Sequence, residues 1–378
     1  MKRLFLMVAL IALSSSLLFA QPRLDGSVVI PSVESQEATF RVRRLVSGLE
    51  HPWSIAFISA DVFLVSERPG RLQLVRPSGI TAVSGLPSIA TRGQGGLLDI
   101  LVDPQFDENG RIYFTYTARE GLGHGTRLMR ARLEDGELTE KTELFRMRQG
   151  GSGGRHFGSR IVLGEDGQIY MTIGDRGSRE RAQDPGDHAG KTLRITTSGR
   201  APADNPLIRR MDALPEVFTL GNRNAQGMTV HPETGEIWQH EHGPRGGDEV
   251  NIIRPGRNYG WPVVTFGDEY RGGDIGEEPP VSGYEDPLLY WTPSIAPSGM
   301  AFYFDEAIPG WKGDLFVGAL VGRHLRRVEL RGEAVVTEEV LLQGALGRIR
   351  DVRLGPDGRL HLLTDDRNGG VYRIEPLR

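Results

Sequence analysis

Cysteine is absent from all 378 residues of the chain. Disulfide bonds and thiolate metal centres are therefore excluded, and the folded state must be held by packing or by a metal bound through other ligands. A basic surplus is also absent, because 45 Lys and Arg stand against 49 Asp and Glu, and this balance argues against a nucleic-acid partner. No stretch keeps an apolar period of 3.6 residues, so helices should be few and short.

An uninterrupted hydrophobic run of membrane-spanning length is also missing. The longest apolar run, Leu4 to Phe19, follows two basic residues, is broken by serines and ends before Ala20. This pattern predicts a secretory signal peptide over residues 1–20 rather than a membrane anchor. We therefore expect a periplasmic or secreted protein without stable membrane insertion and without a lipid-anchor cysteine. Residues 21–39 are polar and contain two prolines, which predicts a flexible leader.

From Phe40 onward, a short apolar run, a turn and a second apolar run recur six times. Such runs bounded by turn residues predict β-hairpins, and the spacing allows about four strands per repeat. The chain is therefore predicted to be all-β, a six-bladed β-propeller with four-stranded antiparallel blades over residues 40–378. We expect the strand near Phe40–Val46 to close the ring against the last blade, near Val371–Ile374. The first runs begin at Ile55, Leu98, Ile161, Met228, Met300 and Val352.

Polar clusters with many glycines precede or begin four of these first strands. Equivalent strand ends converge on the central channel of a propeller, so these clusters can face one cavity although they are far apart in sequence. They are Gly93–Gly96 with Gln94, Gly153–Arg160 with His156, Arg223–Asn224 with Gln226, and Gly347–Asp351 with Arg348 and Arg350.

Two of these clusters hold a side chain that can exchange protons or hydrogen bonds. His156 lies among glycines at a strand start, where it can take a proton near neutral pH. A structural or merely solvated histidine is the alternative. Gln94 offers a donor and an acceptor beside glycines that allow close approach of a ligand. An ordinary tight turn is the alternative there.

The other two clusters are rich in arginine. Arg223 suits an anionic or electron-rich ligand, unless its guanidinium pairs with a carboxylate such as Asp175 or Glu241. Arg348 and Arg350 lie on one face of a strand, since side chains two residues apart point the same way. Burying two like charges side by side costs free energy unless an anion or a carboxylate pairs with them. The pair therefore predicts a ligand with carboxylate groups.

Oxygen donors gather after the fourth hairpin. The loop Glu241–Gly247 supplies carbonyl groups, Asp248 and Glu249 supply carboxylates, and a turn follows at Tyr259. Hard oxygen donors in a chain without cysteine favour calcium over zinc. The EF-hand pattern is not present, so the donor type rather than the spacing predicts the calcium site.

Seven motifs of this chain occur in the same order in one family: GQGGLL at 93–98, HFGSR at 156–160, IGDRG at 173–177, GNRNAQG at 221–227, EHGP at 241–244, NYGWP at 258–262 and RIRD at 348–351. The chain thus resembles the soluble pyrroloquinoline-quinone-dependent sugar dehydrogenases, that is, the glucose/sorbosone dehydrogenase family. Within this family it is most similar to the compact aldose sugar dehydrogenases. The resemblance extends over nearly all of the mature chain, roughly Leu49 to Pro376.

The resemblance implies a six-bladed propeller, in agreement with the repeats, and a quinoprotein that oxidises aldose sugars. Such an enzyme converts the C1 hydroxyl to a lactone by hydride transfer to pyrroloquinoline quinone bound with Ca²⁺. By resemblance, His156 is the general base that takes the hydroxyl proton. Arg223 is the second catalytic residue and, with Asn224, holds the reactive quinone oxygens.

The same resemblance implies the remaining ligands of the cofactor and the metal. Gln94 lines the cofactor pocket, and Arg348 and Arg350 clamp the carboxylates of the quinone. The implied metal ligands are Gly243 and Pro244 for the cofactor calcium and Glu249 and Tyr259 for a second, structural calcium.

Two residues depart from the family pattern. Val321 stands where many relatives carry a basic residue that contacts the cofactor, a contact that Arg323 could supply instead. Arg155 precedes His156 where the glucose-specific relatives carry an Asp. The charge of Arg155 should lower the pKa of His156 unless a carboxylate offsets it, and the substrate pocket should differ from that of the glucose enzymes.

Two other classes of function remain open at this stage. A calcium-dependent lactone hydrolase on the same fold would need convergent Asp, Glu or Asn side chains at the channel. A non-catalytic propeller would bind a protein or a glycan. The expected partners are a small-molecule sugar and an electron acceptor that the sequence does not identify, with no nucleic acid. The sequence gives no indication of the oligomeric state.

Overall fold

The computed structural model describes residues 21–377. The predicted signal peptide at residues 1–20 lies outside this range. Within the described range, no helix has the length and apolar character needed to span a bilayer. The helices there are few and short, as expected: an α-helical turn α1 (Phe106–Asn109) and two 3₁₀ turns at Arg179–Gln183 and Pro309–Trp311.

The strands of the described residues form six antiparallel sheets arranged as blades, which confirms the predicted six-bladed β-propeller. Three strands precede the first blade: β1 (Arg23–Leu24), β2 (Val28–Glu34) and β3 (Thr39–Leu49). The first blade contains β4 (Pro52–Phe57), β5 (Phe63–Glu67), β6 (Arg71–Arg76) and β7 (Gly79–Ala82). The second contains β8 (Leu97–Val102), β9 (Arg111–Glu120), β10 (Gly123–Glu134) and β11 (Glu137–Arg146).

The remaining blades follow in chain order. The third contains β12 (Ile161–Leu163), β13 (Ile169–Ile173), β14 (Lys191–Ile195) and β15 (Val217–Thr219). The fourth contains β16 (Ala225–Val230), β17 (Ile237–Glu241), β18 (Asp248–Ile253) and β19 (Leu289–Trp291). The fifth contains β20 (Pro297–Phe302), β21 (Leu315–Ala319), β22 (Leu325–Arg331) and β23 (Ala334–Leu341). The last contains β24 (Ile349–Leu354), β25 (Leu360–Thr364) and β26 (Gly369–Pro376).

The ring closes through β3, which pairs antiparallel with β26 and completes the sixth blade. In this pairing Val46 lies opposite Val371, and Val42 lies opposite Ile374, as the sequence predicts. Joining the first described segment to the last blade leaves no unpaired edge between the two ends of the ring.

The segment predicted to be a flexible leader contains regular structure. Strand β2 pairs with β3 so that Val28 lies opposite Arg43 and Val33 lies opposite Phe40, and β1 pairs with the other end of β3. The side chains of Ile30 and Val33 pack against the core of the last blades. Residues 21–39 are therefore not irregular throughout in the structure. Pro31 lies within β2, at the edge of the sheet, where a missing N–H is tolerated.

The core lies between the blades rather than in one central layer. Second strands such as β5, β13, β21 and β25 are buried along their whole length, because each blade packs against a neighbour on both faces. This is why the sequence shows short continuous apolar runs there instead of a strict alternation of apolar and polar residues. The first strands of neighbouring blades contact one another, which brings their ends together around the axis.

Candidate active site

A cavity of about 520 Å³ is lined by residues of the first strands β4, β8, β16 and β24 and of the loops that precede or follow blade strands. The convergence expected from propeller geometry is therefore observed, although the roles of the residues stay predictions. The six predicted base and cofactor residues that line this cavity are Gln94, His156, Arg223, Asn224, Arg348 and Arg350.

The imidazole of His156 is oriented by a carboxylate. Its Nδ1 lies 2.7 Å from Oδ1 of Asp175, and Oδ2 of Asp175 accepts a 2.9 Å hydrogen bond from the indole Nε1 of Trp261. The backbone N–H of His156 donates to Oε1 of Gln94 at 2.7 Å, and its φ of 56° places it in the left-handed region. Because Nδ1 is engaged by Asp175, Nε2 is the atom that can exchange a proton with a ligand.

The pKa of His156 is lowered below its ordinary value. Burial is the main cause, and Arg223 and Arg155 lower the pKa further, whereas the hydrogen bond and the charge of Asp175 raise it. Burial, the largest single cause, raises the pKa of Asp175, but the hydrogen bond and charge of His156, the N–H of Gly177 and the charge of Arg223 together lower it, and the net shift is downward. The lowered pKa of His156 agrees with the expectation from Arg155, and it keeps the imidazole neutral, which is the form a base requires.

The guanidinium of Arg223 pairs with neither Asp175 nor Glu241. Nη1 of Arg223 donates to the carbonyl of His242 at 2.9 Å, Nη2 donates to the hydroxyl of Tyr270 at 3.3 Å, and Nε is buried without a partner among the described residues. Glu241 binds the backbone N–H groups of this segment instead. The alternative of an ordinary ion pair is therefore wrong, and Arg223 keeps hydrogen-bonding capacity for a ligand.

Asn224 and Gln226 connect the third cluster to the second and the fourth. Oδ1 of Asn224 accepts a bond from the N–H of Gly158 at 3.2 Å, and Oε1 of Gln226 accepts one from Nη1 of Arg350 at 3.1 Å. These bonds join the loop before β12, the start of β16 and the start of β24. Residues more than a hundred positions apart in sequence are thereby held in one wall of the cavity.

The carboxylate of Asp365 pairs with both Arg348 and Arg350, and no sequence motif pointed to it. Oδ2 of Asp365 lies 3.5 Å from Nη2 of Arg348 and 3.3 Å from Nη2 of Arg350. Oδ1 of Asp365 lies 2.8 Å from Nδ1 of His51. Burial would raise the pKa of Asp365, but Arg350, His51 and Arg348 hold it well below the ordinary value. One carboxylate shared by two guanidinium groups leaves positive charge at the cavity.

The expected ligands of the cofactor calcium lie on the loop after β17. Gly243 lines the main cavity, and Pro244 lines an adjoining cavity that also contains His156. Asp248 was considered as a source of metal-binding oxygens, but its carboxylate already accepts hydrogen bonds from backbone groups. Its carboxylate accepts bonds from the N–H of Gly243 at 2.8 Å and from the N–H of Ile295 at 2.7 Å, and so fixes two loops of the site.

The expected structural calcium site lies beside two buried carboxylates. Glu241 and Glu249 line a small void of about 10 Å³, together with Tyr259. Burial raises the pKa of Glu241 to about 7, and burial and then the charge of Glu241 raise the pKa of Glu249 well above its ordinary value. Neither carboxylate forms an ion pair among the described residues, so a cation between them would relieve the repulsion.

Tyr259 would serve such a site only through its backbone. Its hydroxyl donates to the carbonyl of Ile252 at 2.6 Å and accepts from the N–H of Arg254 at 2.9 Å, so the side chain is already engaged. Over residues 21–377, no three side chains of His, Asp or Glu converge in a way that could hold a metal. The calcium expectation therefore depends on carbonyl oxygens and on Glu249.

Below the cavity, four charged side chains form a buried network. Nη1 of Arg160 lies 3.3 Å from Asp99 and 2.9 Å from Asp351, and Arg353 lies 2.8 Å from Asp99 and 3.2 Å from Asp351. The guanidinium of Arg160 also packs over the ring of Trp53, which lines the cavity, at 4.2 Å. The network joins blades two, three and six at the axis of the ring.

Val321 lines the cavity and is 63% exposed. Arg323 does not line the cavity, so it does not replace the basic residue that relatives carry at the position of Val321. Two other arginines, Arg68 and Arg245, do line the cavity. Neither was predicted as a site residue: Arg68 lies in the turn between β5 and β6, and the loop that contains Arg245 was considered only for its oxygen donors.

The match to known families agrees with this arrangement. The family model described as glucose/sorbosone dehydrogenase matches residues 49–373, and the chain belongs to this family. The chain is 38% identical over 380 residues to the aldose sugar dehydrogenase YliI of Escherichia coli, with 98% of each chain covered.

Two solved structures show the same fold. A crystal structure of the aldose sugar dehydrogenase of Escherichia coli in the apo form has a TM-score of 0.87 and 38% identity, covering 89% of this chain and all of the other. The aldose sugar dehydrogenase of Streptomyces coelicolor in its form bound to pyrroloquinoline quinone (PQQ) has a TM-score of 0.73 and 26% identity, covering 94% of this chain and 99% of the other.

Proposed function

We propose that the protein is an exported quinoprotein that oxidises the C1 hydroxyl of aldose sugars to a lactone, with pyrroloquinoline quinone and Ca²⁺ as cofactors. The observation that carries this proposal is the charge of the cavity. Five arginines and one aspartate line it, Nε of Arg223 is buried without a hydrogen-bond partner among residues 21–377, and His156, whose pKa is lowered, lies beside them. A ligand with several carboxylates and electron-rich oxygens fits this set of donors.

The chain contributes a base and a frame that holds it. His156 takes the C1 hydroxyl proton at Nε2, while Asp175 fixes the ring and stabilises the imidazolium that forms. Arg223 and Asn224 hold the quinone oxygens, Arg348 and Arg350 hold its carboxylates, and Gln94 supports the base through the backbone of His156. When bound, the quinone with its calcium supplies a hydride acceptor whose developing charge is stabilised by a Lewis acid.

The alternative functions have less support. A lactone hydrolase on this fold needs convergent Asp, Glu or Asn side chains at the channel. Among the described residues that line this cavity, the side chains of these types are Asp365, which is paired with two arginines, and Asn224, and they stand beside five guanidinium groups. A non-catalytic propeller gives no reason for a buried carboxylate to orient a neutral histidine toward a cavity rich in positive charge.

The proposal is tested by reconstitution of the mature protein. Protein purified without cofactor is mixed with calcium and pyrroloquinoline quinone, and dye reduction is followed with a panel of aldoses. We expect turnover that requires both additions and is lost on chelation of calcium. If quinone does not bind and no aldose is oxidised, the proposal is wrong. Hydrolysis of sugar lactones by the same preparation without quinone would favour the hydrolase.

A further inference from the structure

A second cavity of about 340 Å³ adjoins the main cavity, and His156 lines both. Gln94, Arg223 and Tyr270 also line both cavities. A sugar whose C1 lies at Nε2 of His156 can therefore extend the rest of its ring into this second space. The residues that line the second cavity but not the main one therefore influence which sugars can bind.

Most charges in the second cavity already have a partner. Nη1 of Arg179 lies 2.7 Å from Oε1 of Glu269, and Asp175 is bound to His156. Arg155 lies in the same cavity, and its guanidinium makes no ion pair or hydrogen bond within residues 21–377. Arg223 also forms no ion pair among the described residues, but its guanidinium donates hydrogen bonds to the carbonyl of His242 and the hydroxyl of Tyr270. The guanidinium of Arg155 is therefore the charged group of this cavity that has neither a carboxylate nor a hydrogen-bond partner within residues 21–377.

The backbone and the side chain of Arg155 both contact residues 176–177. Its backbone carbonyl accepts a bond from the guanidinium of Arg176, which in turn packs over the ring of Phe157 at 3.4 Å. Its side chain lies against Gly177, whose φ is 79°, and a Cβ at Gly177 would collide with the guanidinium. The positive φ favours glycine at position 177, and the absence of a side chain lets the guanidinium of Arg155 lie against the backbone there.

We infer that Arg155 forms a subsite for the carboxylate of a hexuronic acid, so that the preferred aldose carries a negative charge at C6. The inference rests on the proposed function and names its substrate class. In the reaction the C1–H bond breaks and its electron pair passes as hydride to the quinone. The C1 hydroxyl proton goes to Nε2 of His156, C1 becomes the lactone carbonyl, and the C6 carboxylate stays unchanged.

The test compares matched sugars that differ only at C6. Values of kcat/KM are measured on the reconstituted enzyme for galacturonate against galactose and for glucuronate against glucose. In the wild type the acid should exceed the neutral sugar, and raised ionic strength should reduce this preference. Because the guanidinium is exposed, the acid-to-neutral ratio should fall only about fivefold in Arg155→Gln, the scale of an exposed ion pair, and Arg155→Lys should retain part of it.

The variant Arg331→Gln is the matched control, since it removes the same charge from the exposed end of β22, away from the site. It should leave the acid-to-neutral ratio at the wild-type value. A wild-type preference for the neutral sugar, or an unchanged ratio in Arg155→Gln, overturns the inference while the proposed function stands. If no aldose of either kind is oxidised, the proposed function fails and the inference fails with it.

Discussion

Asp175 lies 2.7 Å from Nδ1 of His156, and its second oxygen is held by the indole of Trp261. The carboxylate therefore has one orientation, and so does the imidazole. Burial lowers the pKa of His156 and Asp175 opposes this effect. A base must be neutral to act, so kcat/KM should rise with pH through the pKa of His156, on the acid side of its ordinary value.

We expect the Asp175→Asn variant to shift this rise to lower pH, because removal of the carboxylate charge lowers the pKa of His156 further. The plateau of kcat/KM should also fall, but by less than the roughly 10²- to 10⁴-fold loss expected for His156→Ala, which removes the base. The measurement is the pH profile of the reconstituted enzyme. An acid limb that moves to higher pH in Asp175→Asn contradicts the assignment.

The fold could be predicted because its signal is local and repeated. Each hairpin shows two apolar runs and a turn. The fourth first run, predicted to begin at Met228, lies in β16, which pairs with β17 so that Met228 is opposite Gln239 and Val230 is opposite Ile237. The strand β2 was not predicted because it contains Pro31 and polar residues, which are tolerated at a sheet edge, where pairing with β3 decides the conformation.

The partners of the site residues were harder to predict. Asp365 becomes evident only from register, because Ile349 pairs with Thr364 and so places the next residue beside Arg348 and Arg350. Asp175 was considered as a partner of Arg223, but the structure gives it to His156. The choice among neighbouring carboxylates depends on side-chain packing, which periodicity and spacing do not encode.

The two arginines of the clamp should differ in their effect on quinone binding. The side chain of Arg350 is 11% exposed and bonded to Gln226, whereas that of Arg348 is 41% exposed. A charged hydrogen bond contributes about 1.5–3 kcal/mol, with the larger values where water is excluded. Titration of the apo protein with quinone should therefore show a greater loss of affinity for Arg350→Ala than for Arg348→Ala. Equal affinities in both variants and the wild type would exclude a clamp.

Calcium should stabilise the protein through the carboxylates near the loop after β17. Glu249 is buried beside Glu241, and a cation would offset their repulsion. We expect calcium to raise the thermal midpoint of the wild type above its value in chelator, and to do so much less in Glu249→Gln. Glu108→Gln, which changes an exposed residue of α1, is the control and should respond like the wild type. A full calcium response in Glu249→Gln would remove Glu249 from the metal site.

We expect Arg160 to contribute to the free energy of unfolding of the whole propeller, and not only to the geometry of the cavity beside it. It is fully buried between Asp99 and Asp351, and its removal leaves two buried carboxylates with Arg353 as their only cation in the network. Breaking a buried network in this way costs about 3–5 kcal/mol. Urea denaturation should show a loss of this size for Arg160→Met. The control is Arg210→Met, which breaks the exposed pair with Asp212 and should leave the free energy of unfolding nearly unchanged. Equal losses in the two variants would mean that the network contributes no more to stability than a surface ion pair.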